Sequence, residues 1–430
     1  MLPEVRTRMT LTPYRQALAL PGIRSLLVVA MLARVPVTAA SVTLTLHVVL
    51  DFGRGYAAAG LVGAAMTVGA AFGAPLLGRL VDRRGLRPMI VLTTIASALF
   101  WAAAPTLPYP ALLVASVLGG LLTLPVFSVV RQSIAALAPE EHRRQAYALD
   151  SMSVELSFMT GPAIAVLMVT AVSARTTMVV VGLGLVLSGL ALFMLNPPIR
   201  TSAESTSRTA PVPRRQWLTP QLIGVLALVV ATSLALGGTD VAVVAVLRDA
   251  GQISWTGAVL AVWGAYSLVG GFAYGAMSRP LSPLILVALL GIFTIPVGLG
   301  GGQWWLLCLA LIPAGALCAP ALAATADAVS RLAPASVRGE AMGLHGSALT
   351  VGVALGAPLA GAVMDATTPA WGFAATGLLG TLVALAVLPS ELRRRRSTAA
   401  GSAATGSAGD AESAAARVPV SAASVAPPAP

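Results

Sequence analysis

Three charged side chains stand where an apolar chain tolerates them least. Arg34, Glu155 and Asp240 each fall inside a long run of apolar residues, and a charge at the centre of a membrane-spanning helix costs at least about 2.5 kcal/mol. A group kept at that cost is by default a binding or coupling group: a buried carboxylate takes or gives up a proton according to the side its surroundings open to, and a buried arginine toggles with it. A second group of residues, Gly78, Asp82, Arg83, Gly85 and Arg87, occupies the stretch GRLVDRRGLRPMI at 78–90, between two apolar runs. A third, Gly161-Pro162, is a helix flexure that also permits close helix approach.

The composition explains what must carry these residues. Of 430 residues, 57% are hydrophobic and 10% charged, with mean hydropathy +0.86, whereas soluble domains carry about 25% charged residues. At about 20 apolar residues per crossing, spans fall near 23–49, 57–77, 88–107, 110–133, 146–170, 174–195, 221–247, 254–277, 282–300, 303–326, 340–364 and 370–389. The reading is an all-α integral membrane protein of twelve transmembrane helices. Its first apolar run is too long for a signal h-region and has no small-residue cleavage site behind it, so that helix is expected to stay in the membrane.

Sidedness follows from arginine. Short arginine-rich loops stay cytoplasmic, so span 2 runs inward and span 3 outward. All 27 basic residues are arginine, and only Arg54, Arg175 and Arg248 then fall in outside loops. An even number of spans places Arg6, Arg8, Arg15 and Arg24 on the same, cytoplasmic side as the run Arg393 to Arg396. The expectation is a multi-pass protein of the cell (inner) membrane, monomeric, with both termini cytoplasmic. The net charge of +11 reflects topology and contact with anionic lipid; the bases are scattered, with no interleaved aromatics, which argues against nucleic acid.

With span 1 running outward from about residue 23 and span 5 from about 146, Arg34 and Glu155 reach similar depth, roughly 14 to 17 Å from the inner boundary. They are expected to face each other or a shared cavity. Asp240 lies in the outer half of span 7. Asp150, Asp327, Glu340 and Asp365 fall at helix ends, where capping, loop pairing or solvation is expected. Cys308 and Cys318 are about 15 Å apart along one helix, too far for a disulfide, and read as packing residues. His47, His142 and His345 are dispersed, no His/Cys/Asp cluster has metal-ligand spacing, and a chain without lysine has no GxxxxGK[ST] phosphate loop. No enzymatic constellation, metal or cofactor is expected.

The chain repeats. At an offset of 195, Leu137-Ala138-Pro139 falls on Leu332-Ala333-Pro334, Arg143 on Arg338, Ala146 on Ala341, Leu149 on Leu344, Gly161 on Gly356 and Pro125 on Pro320. Residues 196–220, rich in proline, serine and arginine, separate six spans from six. The organisation is therefore an N-terminal bundle (1–195), a cytoplasmic linker (196–220), a C-terminal bundle (221–392) and a disordered cytoplasmic tail (393–430).

Twelve spans split six and six, with Gly78, Asp82, Arg83, Gly85 and Arg87 between spans 2 and 3, resemble the major facilitator superfamily across residues 15–392. The resemblance implies two pseudo-symmetric six-helix bundles rocking about a midplane site. It implies that Gly78 permits close packing, that Asp82 latches the cytoplasmic side against the opposing bundle, and that Arg83 and Arg87 are its ionic partners. The counterpart loop, Gly275 to Pro283, keeps Arg279 but no acid, so the latch is expected on one side only. Gly161-Pro162 resembles the core of the span 5 motif of proton-coupled exporters, although Phe158, Ala163 and Val166 replace its glycine series. The functional expectation is secondary active transport of a small molecule, as proton-coupled efflux of an amphipathic compound. Import of a sugar, amino acid or other metabolite is the alternative within transport. A sensor or scaffold would call for a folded signalling domain, and a membrane enzyme for a catalytic dyad.

Overall fold

A helix satisfies its own backbone hydrogen bonds, and in hydrocarbon nothing else short of a closed barrel does. The computed structural model describes residues 12–201, 213–277, 280–300, 302–389 and 391, and they contain no strand. Arg6, Arg8, Arg279, Arg393 to Arg396, linker residues 202–212 and the whole of the tail at 393–430 lie outside the described residues.

Twelve helical segments are long and apolar enough to cross a membrane. A short helix, Thr12–Ala19, precedes them. Spans 1 to 6 are Ile23–Leu50, Tyr56–Arg84, Leu86–Thr106, Tyr109–Leu137, Glu140–Ala171 and Ala174–Leu195. Spans 7 to 12 are Pro220–Asp249, Ile253–Ala276, Pro283–Gly300, Trp304–Leu332, Ala335–Ala366 and Trp371–Pro389. The described residues up to Ala386 form one compact unit; those from Val387 onward belong to a second and are helical.

Within the first unit, span 1 packs on spans 5 and 6, span 2 on span 4, and span 3 on span 6. Span 7 packs on spans 10 and 11, span 8 on span 10, and span 9 on span 10. Contacts between the first six spans and the later ones join span 2 to span 11, span 4 to span 11, and span 5 to spans 8 and 10.

Lipid supplies no hydrophobic drive for helix pairing, so small residues set the approach. A Cβ at Gly69 would lie 2.1 Å from the Val117 carbonyl oxygen, one at Gly73 2.1 Å from that of Leu121, and one at Gly120 2.0 Å from that of Met66, which seats span 2 on span 4. Span 8 meets span 10 in the same way, with a Gly270 Cβ 1.8 Å from the Ala316 carbonyl oxygen.

The repeat is visible in the backbone. Ala138 and Ala333 leave their helices at φ/ψ of −93/122 and −87/127, and Pro139 and Pro334 follow at −54/156 and −54/149. The depth of the glycine match differs from the sequence offset. Gly161 meets Val35, Thr38 and Ala39 of span 1, and the glycine meeting the equivalent Val230, Ser233 and Leu234 of span 7 is Gly352, one turn before Gly356. The prolines also part company. Span 4 breaks at Leu122 to Pro125, between helices Tyr109–Leu121 and Val126–Leu137, while Pro320 sits inside the continuous helix of span 10.

Gly270→Ala is expected to force spans 8 and 10 apart and to cost about 1 to 3 kcal/mol, the usual range for overpacking. Gly60→Ala, with nothing within 4 Å of the new methyl, is expected to leave thermal unfolding in detergent unchanged.

Candidate functional site

The loop residues come first, because span 2 ends there against span 11. Gly78 and Gly339 place their backbones in contact: a Cβ on Gly78 would sit 2.2 Å from the Gly339 carbonyl oxygen. That approach delivers Asp82 to the start of the span 11 α-helix, Arg338–Ala366. Its Oδ1 accepts from the Gly339 amide at 2.9 Å and its Oδ2 from the Glu340 amide at 2.8 Å. The first turn of a helix has no internal partners for its N–H groups and carries a partial positive charge. Asp82 therefore caps a helix of the other half of the molecule.

Arg83 and Arg87, expected as ionic partners of Asp82, are not. Both are exposed, and Arg87 lies over the Phe193 ring of span 6 rather than against Asp82, with its guanidinium carbon 5.2 Å from the centroid. They follow Asp82 at the helix end, where the backbone turns through Gly85 at φ 86 and enters span 3. The arginines at the interface are Arg79 and Arg214. Arg79 Nη2 and Nε bind Glu340 at 2.8 and 3.1 Å, and Arg214 Nη2 binds it at 2.5 Å. Arg200 donates to the Asp82 carbonyl at 2.9 Å.

The same end is closed a second time where span 5 meets span 8. Arg144 donates to the carbonyl of Met277, the residue that caps the C-terminus of span 8, the helix end that favours a cation. Tyr14, on the short N-terminal helix, donates to the carbonyls of Gly271 and Phe272 and stacks on the Phe272 ring at 4.8 Å. Burial pushes the Tyr14 hydroxyl up to about 12, so it remains a donor at neutral pH.

Deeper in the membrane the charges pair differently from expectation. Arg34 does not meet Glu155; its Nη2 binds Asp150 Oδ1 at 2.6 Å and its Nη1 binds Ser153 Oγ at 3.3 Å. The reason is the helix boundary. Span 5 begins at Glu140, so Asp150 lies well inside the helix rather than at its end, and Glu155, five residues on, is turned about 140° away. Arg131 joins from span 4, with Nε 3.3 Å from Asp150 Oδ2. Asp150 and Arg34 have no exposed surface, and Arg131 is 2% exposed. Arg131, not among the charges expected at membrane depth, is a buried charge.

Glu155 faces the other half. Its Oε1 accepts from Ser267 of span 8 at 2.9 Å, and Ser267 Oγ also accepts from the Ala319 amide of span 10 at 3.1 Å. Asp240 of span 7 lies within electrostatic reach of Glu155, and Cys318 within reach of both. Glu155 thus pairs with Ser267 of span 8 and interacts electrostatically with Asp240, and Arg34 is not its partner. Gly161 serves close packing: a Cβ there would be 2.0 Å from Thr38 Oγ1.

Sequence reasoning missed Arg131, Asp150, Ser267 and His345 as members of these networks. Arg131 and Asp150 had a readable signal, since both border apolar runs at a depth that a longer helix would bury. Ser267 and His345 had none.

A helical membrane protein built as paired six-span halves, closed across one end and carrying carboxylates between the halves, is a transporter by architecture. A model of the major facilitator superfamily matches residues 26–301 and 256–426. The chain belongs to that superfamily. Among solved structures, it is similar to the human organic anion transporter MFSD10 (TETRAN), with TM-score 0.68 and 18% identity over 85% of this chain and 100% of that one. A bacterial homologue of the iron transporter ferroportin in an outward-facing state gives 0.67 and 14% over 86% and 100%. The superfamily transporter FucP in an outward conformation gives 0.63 and 16% over 86% and 98%. At these identities the likeness is one of fold. A search of curated protein sequences finds no match.

Asp150→Asn is expected to strand two buried guanidinium groups and to cost about 3 to 5 kcal/mol, seen as lost expression or a lower melting temperature. Glu155→Gln breaks no ion pair and is expected to fold normally; a collapse of Glu155→Gln equal to that of Asp150→Asn would contradict these pairings.

Proposed function

We propose that the chain exports a small amphipathic compound in exchange for inward protons, with Glu155 and Asp240 as the coupling carboxylates. The single observation that carries this reading is their placement: one comes from the first half and one from the second, they sense one another electrostatically, and neither forms an ion pair among the described residues. Two carboxylates that repel one another favour holding a proton on one of them. Charge counting supports the same view. Arg34 and Arg131 oppose Asp150, Glu155 and Asp240, so one bound proton brings these five groups to neutrality.

In this reading the arginine-rich end is cytoplasmic, by the positive-inside rule. Residues 1–195 and 221–392 rock as two bodies joined by the 196–220 linker, in a monomer of the cell (inner) membrane. Every described hydrogen bond between the halves lies at the arginine-rich end or near the middle of the spans, which corresponds to an outward-facing state.

The test is transport in proteoliposomes against a compound panel, with internal pH recorded. For Glu155→Gln, counterflow, which needs no net proton movement, is expected to persist while proton-driven accumulation falls to background. Undiminished accumulation by this variant would remove Glu155 from coupling, and accumulation without proton movement in the unaltered chain would remove the proton.

A further inference from the structure

We propose that His345 is a second proton-binding site, which holds the arginine-rich end shut while neutral and releases it on protonation. This goes beyond coupling at Glu155 and Asp240 and rests on a different contact. His345 belongs to span 11 and Arg131 to span 4, so the 3.1 Å contact between Arg131 Nη1 and His345 Nδ1 joins the two halves. Both residues are buried.

The direction of this hydrogen bond is dictated by chemistry. A guanidinium has N–H donors and no acceptor, so Nδ1 must offer a lone pair, and an imidazolium has none to offer. The ring is neutral, with its proton on Nε2. That nitrogen faces Thr325 Oγ1 at 3.4 Å, and the Thr325 hydroxyl is itself spent on the Leu322 carbonyl at 3.0 Å. Donors and acceptors therefore run in one consistent sense from Arg131 through His345 and Thr325 to the span 10 backbone.

Arg131 is not free to retreat. Its Nε is held by Asp150, whose other oxygen holds Arg34. A proton taken up by Nδ1 sets one N–H against another and adds a third cation to a cluster with one carboxylate. No other charge relieves it. Among the described residues, Arg131 is the charged group that acts on the ring; Asp327 on span 10 is paired with Arg331 at 2.9 Å, and Glu340 with Arg79 and Arg214. Span 2 presents Ala71 and Ala74 to this part of span 11, and span 7 has no titratable residue before Asp240. Separation of span 4 from span 11 is the relief available, and that movement opens the arginine-rich end.

The experiment measures the distance between spin labels at Arg84 and Pro280, both exposed at that end in different halves, in the full chain with Cys308 and Cys318 replaced by alanine, reconstituted in lipid nanodiscs. Between pH 8.5 and 5 the ratio of long to short distances is expected to rise about tenfold or more, the worth of one charge-assisted hydrogen bond. His345→Gln accepts from Arg131 and donates to Thr325 without titrating, and is expected to stay short throughout. His345→Ala is expected to be long already at pH 8.5. Glu155→Gln, which keeps Arg131 and His345, is expected to retain a widening on acidification of about tenfold or more, which separates this site from the coupling carboxylates and needs no substrate. Widening on acidification in His345→Gln equal to that of the unaltered chain would overturn the proposal. So would a short distance in His345→Ala at pH 8.5, or no widening in the unaltered chain.

Discussion

Helix ends carry backbone groups that nothing in their own helix can satisfy, and the closed end of this molecule is assembled from them. Asp82 supplies an anion to the N-terminus of span 11, and Arg144 supplies a cation to the C-terminus of span 8. Each contact matches the sign of the helix dipole it meets, and each joins one half of the chain to the other. The contacts are strong in a dry interface and are readily exchanged for water when the interface opens. Helix packing follows from them: Gly78 and Gly339 are glycines because Asp82 reaches the span 11 amides only when the two backbones touch.

Beneath this layer the chain keeps charge inside the membrane, and the arrangement is economical with partners. Asp150 serves both Arg34 and Arg131, while Arg34 also lies over the Phe127 ring with its guanidinium carbon 5.0 Å from the centroid. A buried ion pair seldom adds net stability, because desolvation offsets its attraction. The cluster instead ties spans 1, 4 and 5 to one geometry and presents Arg131 to His345. Glu155, turned to the opposite side of span 5, faces Ser267 across the halves.

Spans, repeat and family were legible because each rests on long averages: apolar length, arginine placement and a motif of fixed spacing. The partners were not, because each turns on a helix boundary or a backbone atom. Beginning span 5 at 146 instead of Glu140 moved Asp150 from the interior to an end and left Glu155 as the apparent partner of Arg34. Arginines were expected beside Asp82 because side-chain chemistry suggests them; its closest partners are two backbone amides of span 11, with the Gln132 side chain at 3.4 Å, and a backbone amide is carried by every residue but proline and singled out by no sequence. Pro125 and Pro320 align in the repeat, yet only the first interrupts its helix. Proline removes a donor in both places, and the surrounding packing decides whether the helix breaks.

The central claim is that the two ends of the molecule open in alternation and that the Asp82 cap holds one of them shut. Single-molecule energy transfer tests it directly, with dye pairs at Arg84 and Pro280 for the arginine-rich end and at Thr170 and Ser254 for the other. In the unaltered chain the two distances are expected to change in opposite senses, and in Asp82→Asn the first is expected to shift toward its long value while the second shortens. Distances that move together, or an Asp82→Asn distribution identical to that of the unaltered chain, would contradict the account.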